Sequence, residues 1–289
     1  MQVGVNGRGD ALAPPGPTGT FRGLMKLTPV RRGDKLRLRD GDASLGGAPT
    51  PALLSASTAK LTARLAGLQR VFYADARHAL LIVLQGRDAA GKDGTIRHVF
   101  SVVNPQGCEV SSFKVPTENE LRHDFLWRVH QRVPARGMIG IFNRSHYEDV
   151  LVARVNGLVP EGVWRERYTQ INEFERMLTL NGVVILKFFL HISRAEQKRR
   201  LIDRLTDRTK NWKFRAGDLD DRAKWSEYTE AYRDALGECS TKWAPWFVVP
   251  SDDKSVRNWL VARTIEHTLD GLGLRYPKAS PRILTLKIT

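Results

Sequence analysis

The order of patterns along this chain predicts an α/β protein whose mainly parallel sheet is covered by helices on both faces. Three observations predict it. Apolar runs of strand length alternate with segments of helical period, the mark of strand–helix–strand units. The runs Ala79–Leu84 and Val183–Leu190 are almost continuously apolar rather than alternating, as strands buried on both faces are. A glycine-bounded loop, Gly86-Arg87-Asp88-Ala89-Ala90-Gly91-Lys92, joins the first of these runs to a helical segment.

Taken in order, residues 1–20 are rich in Gly, Pro and Ala without periodicity and are expected to be disordered. Residues 21–52 read as an extended lead-in. One domain is expected over 53–275, with a tail at 276–289. A helix is predicted over Ser57–Arg77, with Leu61, Leu65, Leu68 and Phe72 on one face. The strand Ala79–Leu84, the loop and a helix carrying Ile96, Val99 and Phe100 follow. Glu109–Val115 is the second strand. Thr117 and Glu120 form a capping box for a helix carrying Leu121, Phe125, Leu126 and Val129. Gly137–Phe142 is the third strand, with Asn143–Asp149 at its carboxyl end. A helix over Trp164–Leu180 closes at Gly182, and Val183–Leu190 is the fourth strand. Ser193 and Glu196 cap a helix to Leu205, a basic loop runs to Gly217, and a helix covers Leu219–Leu236. Trp246–Val249 is the fifth strand and Val256–Leu272 the last helix.

A strand, a Gly-x4-Gly-Lys loop and a helix make a phosphate-cradling P-loop. Glycines let consecutive N–H groups turn inward, the helix N-terminus adds partial positive charge, and Lys92 supplies a full one. The Ser or Thr that usually follows the lysine is replaced by Asp93 and Gly94, so the first hydroxyl is Thr95. Candidate phosphate- or nucleotide-binding residues are therefore Gly86, Ala89, Ala90, Gly91, Asp93, Gly94 and Thr95. Ligands of parallel sheets lie beyond the strands' carboxyl ends. The loop, the Asn143–Asp149 segment and the end of the fourth strand should meet there.

Phosphoryl transfer needs fixed positive charge and in-line positioning, and Lys92 is suited to both. Asp88 beside phosphates makes sense if it holds Mg²⁺ or a water on Mg²⁺; the alternative is a carboxylate capping loop N–H groups. Asn143 stands where P-loop proteins often hold Mg²⁺. Glu148 or Asp149 would supply the missing charge or bind the acceptor, and Arg144 would clamp phosphate oxygens. The alternative is an ion-paired loop. The basic run from Arg194 to Arg215 places Arg200 and Arg204 on one helix face, with Arg208, Lys210 and Lys213 beyond. It reads as a lid over about 203–217, or else as a solvated charged face.

The net charge of +15, from 46 Lys and Arg against 31 Asp and Glu, selects for anionic partners: nucleic acid, an anionic membrane surface or a polyanion. Cys108 and Cys239 lack CxxC spacing, which argues against zinc and for a reducing compartment. No apolar run is long enough to cross a bilayer and no signal-peptide pattern is present, so a cytoplasmic protein is expected.

The segments GRDAAGKDGTI (86–96), NPQG (104–107), FKVPT (113–117), HDFLWR (123–128), IFNRSHYEDVLV (141–152), KFFLHIS (187–193), WKF (212–214) and APW…VP (244–250) resemble the polyphosphate kinase 2 family across about 75–270. That resemblance implies a three-layer α/β/α P-loop kinase fold with a basic helical lid. It also implies Mg²⁺ dependence, with Mn²⁺ as substitute, and reversible phosphoryl transfer between inorganic polyphosphate and purine nucleotides. Asp88 and Lys92 match the family's Walker A residues, Asn143 and Arg144 its Walker B pair, and Arg204 a lid arginine. Much of the family has aspartate where Asn143 stands. The Gly-Lys-Asp-Gly and Asn-Arg-Ser-His-Tyr-Glu-Asp runs resemble the class III branch, which implies AMP and ADP as acceptors. A homo-oligomer, dimer or tetramer, is expected, with neither nucleic acid nor membrane as partner. One rival reading is an ATP-dependent nucleotide or small-molecule kinase of the same fold, inactive with polyphosphate as sole phosphoryl source. The other is a basic P-loop protein that binds nucleic acid, against which no helix-turn-helix, zinc-finger or aromatic RNA-binding signature is found.

Overall fold

The computed structural model describes residues 26–284 and 286, so the expected tail at 1–20 lies outside the described residues. Five strands form one sheet: β1 (Ala79–Gln85), β2 (Cys108–Ser112), β3 (Ile139–Asn143), β4 (Val183–His191) and β5 (Trp246–Pro250). Their spatial order is β2-β3-β1-β4-β5 and every neighbouring pair is parallel.

Strand β1 shows why its sequence lacks alternation. Leu80, Ile82 and Leu84 enter one apolar core, Leu81 and Val83 the other, and all five are fully buried. The first core is closed by α1 (Pro51–Asp75), α2 (Lys92–Val99) and α10 (Lys254–Asp270), through residues such as Leu65, Phe72, Val99, Trp259 and Ile265. The second is closed by α5 (Glu148–Val155), α6 (Glu161–Leu180) and α9 (Trp225–Cys239), through Val150, Trp164, Ile171, Tyr232 and Leu236. Two helical layers thus sandwich the sheet, as a parallel sheet with both faces apolar requires.

Local signals account for the helix ends. The Thr50 hydroxyl accepts from the Leu53 N–H and Pro51 opens α1. Ser193 accepts from the Glu196 N–H at the start of α7 (Arg194–Thr206). The basic segment beyond α7 forms a short 3-10 turn, Asn211–Lys213, and leads into α8 (Gly217–Ala223).

Several expectations are corrected. The Thr117 capping box forms, but its helix is a single turn, α3 (Glu118–Leu121). The chain becomes helical again only at α4 (Trp127–His130). Between them the Asp124 carboxylate accepts from the Leu126 N–H, a side-chain turn that competes with helix continuation. Strand β2 stops at Ser112, short of Val115. Helix α5 was not anticipated. The lead-in is more than an extended arm: the Val30 N–H donates to the Trp246 carbonyl at 2.9 Å and Pro29 bridges Phe247 in antiparallel sense, covering part of the free edge of β5. A 3-10 turn, Asp40–Ala43, follows within it. Among the described residues no helix is long and apolar enough to cross a membrane.

Candidate active site

Strand β1 delivers its chain to the carboxyl edge of the sheet at Gly86, where the loop begins. Ala89 and Gly91 both adopt left-handed backbone, with φ of 62° and 109°. A side chain at Gly91 is also excluded by space, because a Cβ there would lie 2.0 Å from the Arg257 guanidinium. Three arginines hold the loop from behind. Arg200 donates to the carbonyls of Ala89 and Ala90 at 3.0 and 3.1 Å and to those of Ser251 and Asp252 at 2.7 and 2.8 Å. Arg257 donates to the Ala90 carbonyl at 3.2 Å. Arg87 lies over the Trp225 ring at 3.8 Å and donates to that residue's carbonyl. With carbonyls tied back in this way, the N–H groups of the first turn of α2, which no intrahelical acceptor satisfies, stay available at the loop mouth.

Lys92, the first residue of α2, bends over the loop. Its ammonium donates to the Gly86 carbonyl at 2.6 Å and to that of Arg87 at 3.3 Å. Burial, reinforced by the nearby Arg144 cation, depresses its pKa to about 8.

The turn after β3 supplies the facing wall. Arg144, itself left-handed at φ 63°, donates to the Asp88 carboxylate at 2.9 Å and lies 3.6 Å from that of Glu148. Burial works against the Arg144 charge, but Glu148 and Asp88 keep it firmly protonated. Burial raises the Glu148 pKa, against the pull of Arg144 and Lys92. The Asn143 amide donates to Asp93 at 2.9 Å, and the other oxygen of Asp93 meets Lys213 at 3.3 Å. Against burial, these two partners hold the Asp93 carboxyl below its usual range.

The basic segment beyond α7 forms the third side. Arg204 donates to Asp218 at 3.2 Å. Asp88 and Arg144 share an open cleft of 610 Å³ with Arg215, Asp218 and Lys224 from the far side of the lid. Lys92, Asp88, Arg144, Glu148, Asn143, Asp93 and Lys213 are therefore brought together as the sequence suggested, with Arg204 at the rim. Gly86, Ala89, Ala90, Gly91 and Gly94 form the loop and the first turn of α2.

Other expected residues stand elsewhere. The Thr95 hydroxyl is spent on the Gly91 carbonyl at 3.1 Å and is fully buried within α2. Asp149 lies between Arg128 and Arg167, 3.7 Å from each, on the back of the turn. Lys210 pairs with Asp207 at 2.5 Å, and Arg208 is exposed. Arg200 does not share the lid face with Arg204 but is drawn into the core behind the loop. The supporting roles of Arg87 and Arg257 and the cleft residues Asp218 and Lys224 were not foreseen, and Arg200 and Arg215 were read only as members of the basic run. Arg200, Arg215 and Asp218 lie inside or beside the basic run, which was the available signal. Arg257 carries none, since its loop partner is 167 positions away.

The family described as Polyphosphate kinase 2 matches residues 53–275. A Meiothermus ruber protein named AMP/ADP-polyphosphate phosphotransferase is 57% identical over 220 residues, covering 76% of this chain and 82% of its own. An ADP-polyphosphate phosphotransferase of Rhodopseudomonas palustris is 47% identical over 230 residues, covering 75% and 80%. The crystal structure of polyphosphate kinase 2 from Arthrobacter aurescens TC1 matches with a TM-score of 0.78 at 41% identity, over 89% of this chain and 95% of that one.

Proposed function

Because the chain belongs to the polyphosphate kinase 2 family, we propose that its cleft moves a phosphoryl group reversibly between inorganic polyphosphate and the nucleotides AMP and ADP. The observation that carries this reading is the convergence of Lys92 and Arg144 on one loop mouth, with Asp88 between them. Two fixed cations at one point suit a transferring phosphoryl group, whose charge spreads over three equatorial oxygens.

In the direction of nucleotide synthesis, a terminal phosphate oxygen of AMP or ADP attacks the end phosphorus of the chain. The bond to the bridging oxygen breaks and polyphosphate leaves one unit shorter. Lys92 exchanges its loop carbonyls for phosphoryl oxygens, and Arg144 contributes from the opposite wall. Arg204 and Arg215 contact the leaving chain from the lid, with Lys213 beside them. No proton needs to be removed from an already ionised phosphate, which fits a site rich in cations.

Magnesium fits the donor set. It takes oxygen ligands, keeps several waters and binds through one or two carboxylates plus substrate phosphates. Asp88 faces the cleft as such a carboxylate, with Glu148 behind Arg144 as a second, and among the described residues no group of three metal-ligating side chains exists. When bound, the ion would neutralise charge on the phosphates, and Mn²⁺ would substitute. Asn143, its amide engaged by Asp93, takes a bridging role instead. Both cysteines are unpaired, which suits a reducing cytoplasm.

The test offers AMP and ADP separately with polyphosphate and Mg²⁺ and reads ADP and ATP. Both should be phosphorylated. Failure with AMP alone would refute the class III placement. Inactivity with polyphosphate as sole phosphoryl source, together with activity from ATP, would replace this reading by the ATP-dependent rival.

A further inference from the structure

A fully buried polar network lies directly behind the Arg144–Glu148 turn. Ser145, His146 and Tyr147, the three residues between those two functional side chains, are completely buried. The His146 ring donates to Glu175 of α6 at 3.3 Å, and the Tyr147 hydroxyl donates to the same carboxylate at 3.0 Å. The other oxygen of Glu175 receives the ammonium of Lys187 at 2.5 Å. Lys187 lies mid-strand in β4 and also donates to the Tyr147 hydroxyl and the Cys239 carbonyl, both at 2.7 Å. All three ammonium protons are thereby used, with no solvent contact.

Such a pair is hard to explain as a stabilising device. Taking two charges out of water cancels most of their attraction, and an apolar pair of equal volume commonly stabilises as well or better. Its neighbours in the register, Val83 on β1 and Trp246 on β5, are apolar. What the Lys187–Glu175–Tyr147 trio provides, with its ammonium protons, carboxylate oxygens and hydroxyl all engaged, is a single arrangement, although the buried His146 Nδ1 and Gln85 Oε1 beside it have no partner. The turn in front needs one. Arg144 holds a left-handed backbone with a side chain attached, a conformation that persists only where surroundings over-determine it. Its front contacts are ionic and become shared with substrate once phosphates arrive. The back contacts, from His146 and Tyr147 to Glu175 and Lys187, have no such competitor. Gln85 adds a further fixed point, donating to the Ser145 hydroxyl at 3.1 Å.

Resting on the phosphoryl-transfer reading above, we infer that Glu175 and Lys187 are positioning residues. Through Tyr147 and His146 they hold Arg144 and Glu148 at the distance from Asp88 and Lys92 that the transfer step requires. They touch no substrate. A small displacement of a group in the transfer geometry costs rate rather than binding.

The experiment uses the full chain in two variants. Glu175→Gln/Lys187→Met removes both charges together and leaves neither alone in the core. Tyr147→Phe removes one hydroxyl and keeps the ring against Trp246. Each is expected to lower kcat about 10- to 100-fold, with KM for polyphosphate and ADP within about twofold; the double variant should unfold close to the parent, and Tyr147→Phe somewhat below it, because one Lys187 proton loses its acceptor. In a Glu148→Gln background the further loss should shrink markedly, because the network acts through that turn. Unchanged kcat, or an undiminished loss in that background, overturns the inference. If the double variant fails to fold, Tyr147→Phe decides alone. A second readout needs no turnover: the Arg144 Nε–H resonance, assigned by its disappearance in Arg144→Lys, should broaden or shift in both variants. An unchanged resonance also overturns the inference. Absence of turnover by the parent chain would instead count against the proposed reaction, leaving the resonance to judge the positioning.

Discussion

Lys92 is short of solvent and shares its surroundings with Arg144, so it loses its proton near neutral pH, at about 8. The sign of the effect on activity follows. The cation is the form that binds phosphate, so the free enzyme is competent below about 8 and loses competence as pH rises through it. The value kcat/KM, which reports the free enzyme, should fall about tenfold per unit above that point. Bound phosphates favour the ammonium, so the corresponding limb in kcat should lie at higher pH. Lys92→Arg should remove the limb, because a guanidinium keeps its proton throughout. Lys92→Ala should reduce kcat by about 10²–10³. Initial rates of ATP formation from ADP and polyphosphate, measured across about pH 6.5–9.5, check all four. A flat kcat/KM profile in the parent chain would remove Lys92 from its role.

Helix α7 places two arginines one turn apart and gives them opposite tasks. Arg200 is buried and donates to four backbone carbonyls besides its ion pair with Glu196 at 2.7 Å. Arg200→Met would leave the Ala89, Ser251 and Asp252 carbonyls without that donor, the Ala90 carbonyl with Arg257 alone and Glu196 with Arg199 alone, at a cost of about 3–5 kcal/mol. Arg204 is half-exposed and holds a single partner. Arg204→Met leaves the buried Asp218 carboxylate without that partner and should cost about 1–3 kcal/mol, less than Arg200→Met, while lowering kcat. Urea midpoints paired with kcat separate the two, and equal losses of stability would contradict the division. The same helix shows where the sequence was readable and where it was not. The Ser193 cap and the basic run are local patterns, although only half of the expected capping box forms, since Arg199 and Arg200 take the Glu196 carboxylate. The burial of Arg200 depends on Ala89, Ala90 and Ser251, which no helical period reveals. β1 and β4 were legible because burial on both faces leaves a continuous apolar run. The phosphate loop was legible because its chemistry lies within seven consecutive residues. The break between α3 and α4 was missed because a capping box starts a helix without setting its length. Helix α5 was missed because its first residues read as site chemistry. Lys187, set in an apolar strand, carried no sign of partners 12, 40 and 52 positions away.

At the scale of the whole molecule, the charge of +15 is only partly available to a substrate. At the cleft Asp93 and Asp218 already neutralise Lys213 and Arg204, and beyond it Asp207 neutralises Lys210. An incoming polyphosphate must displace some of these carboxylates, so local pairing reduces the affinity that the net charge alone would suggest. What remains is the long-range field, which acts over about 10 Å at 0.1 M salt and weakens as salt rises. A chain that touches several cations releases several counterions, whereas a nucleotide releases few. The logarithm of KM for long polyphosphate should therefore rise with the logarithm of salt more steeply than for tripolyphosphate or ADP, by about 0.7 per additional phosphate held, if condensed phosphates behave like a single-stranded nucleic-acid backbone. Lys213→Met should flatten the long-chain slope by a similar step and leave the ADP slope alone. The result has a consequence for the second rival. A site built for nucleic acid would show equal steepness with single-stranded DNA as competitor and a competitor constant no weaker than that of polyphosphate. A site built around one loop and a lid should let DNA compete only weakly, because its sugars and bases spread the phosphates too far apart to fill adjacent cation positions. Equal slopes for long and short chains would mean that phosphates beyond the first few are not held, and the basic lid would revert to an ordinary solvated face.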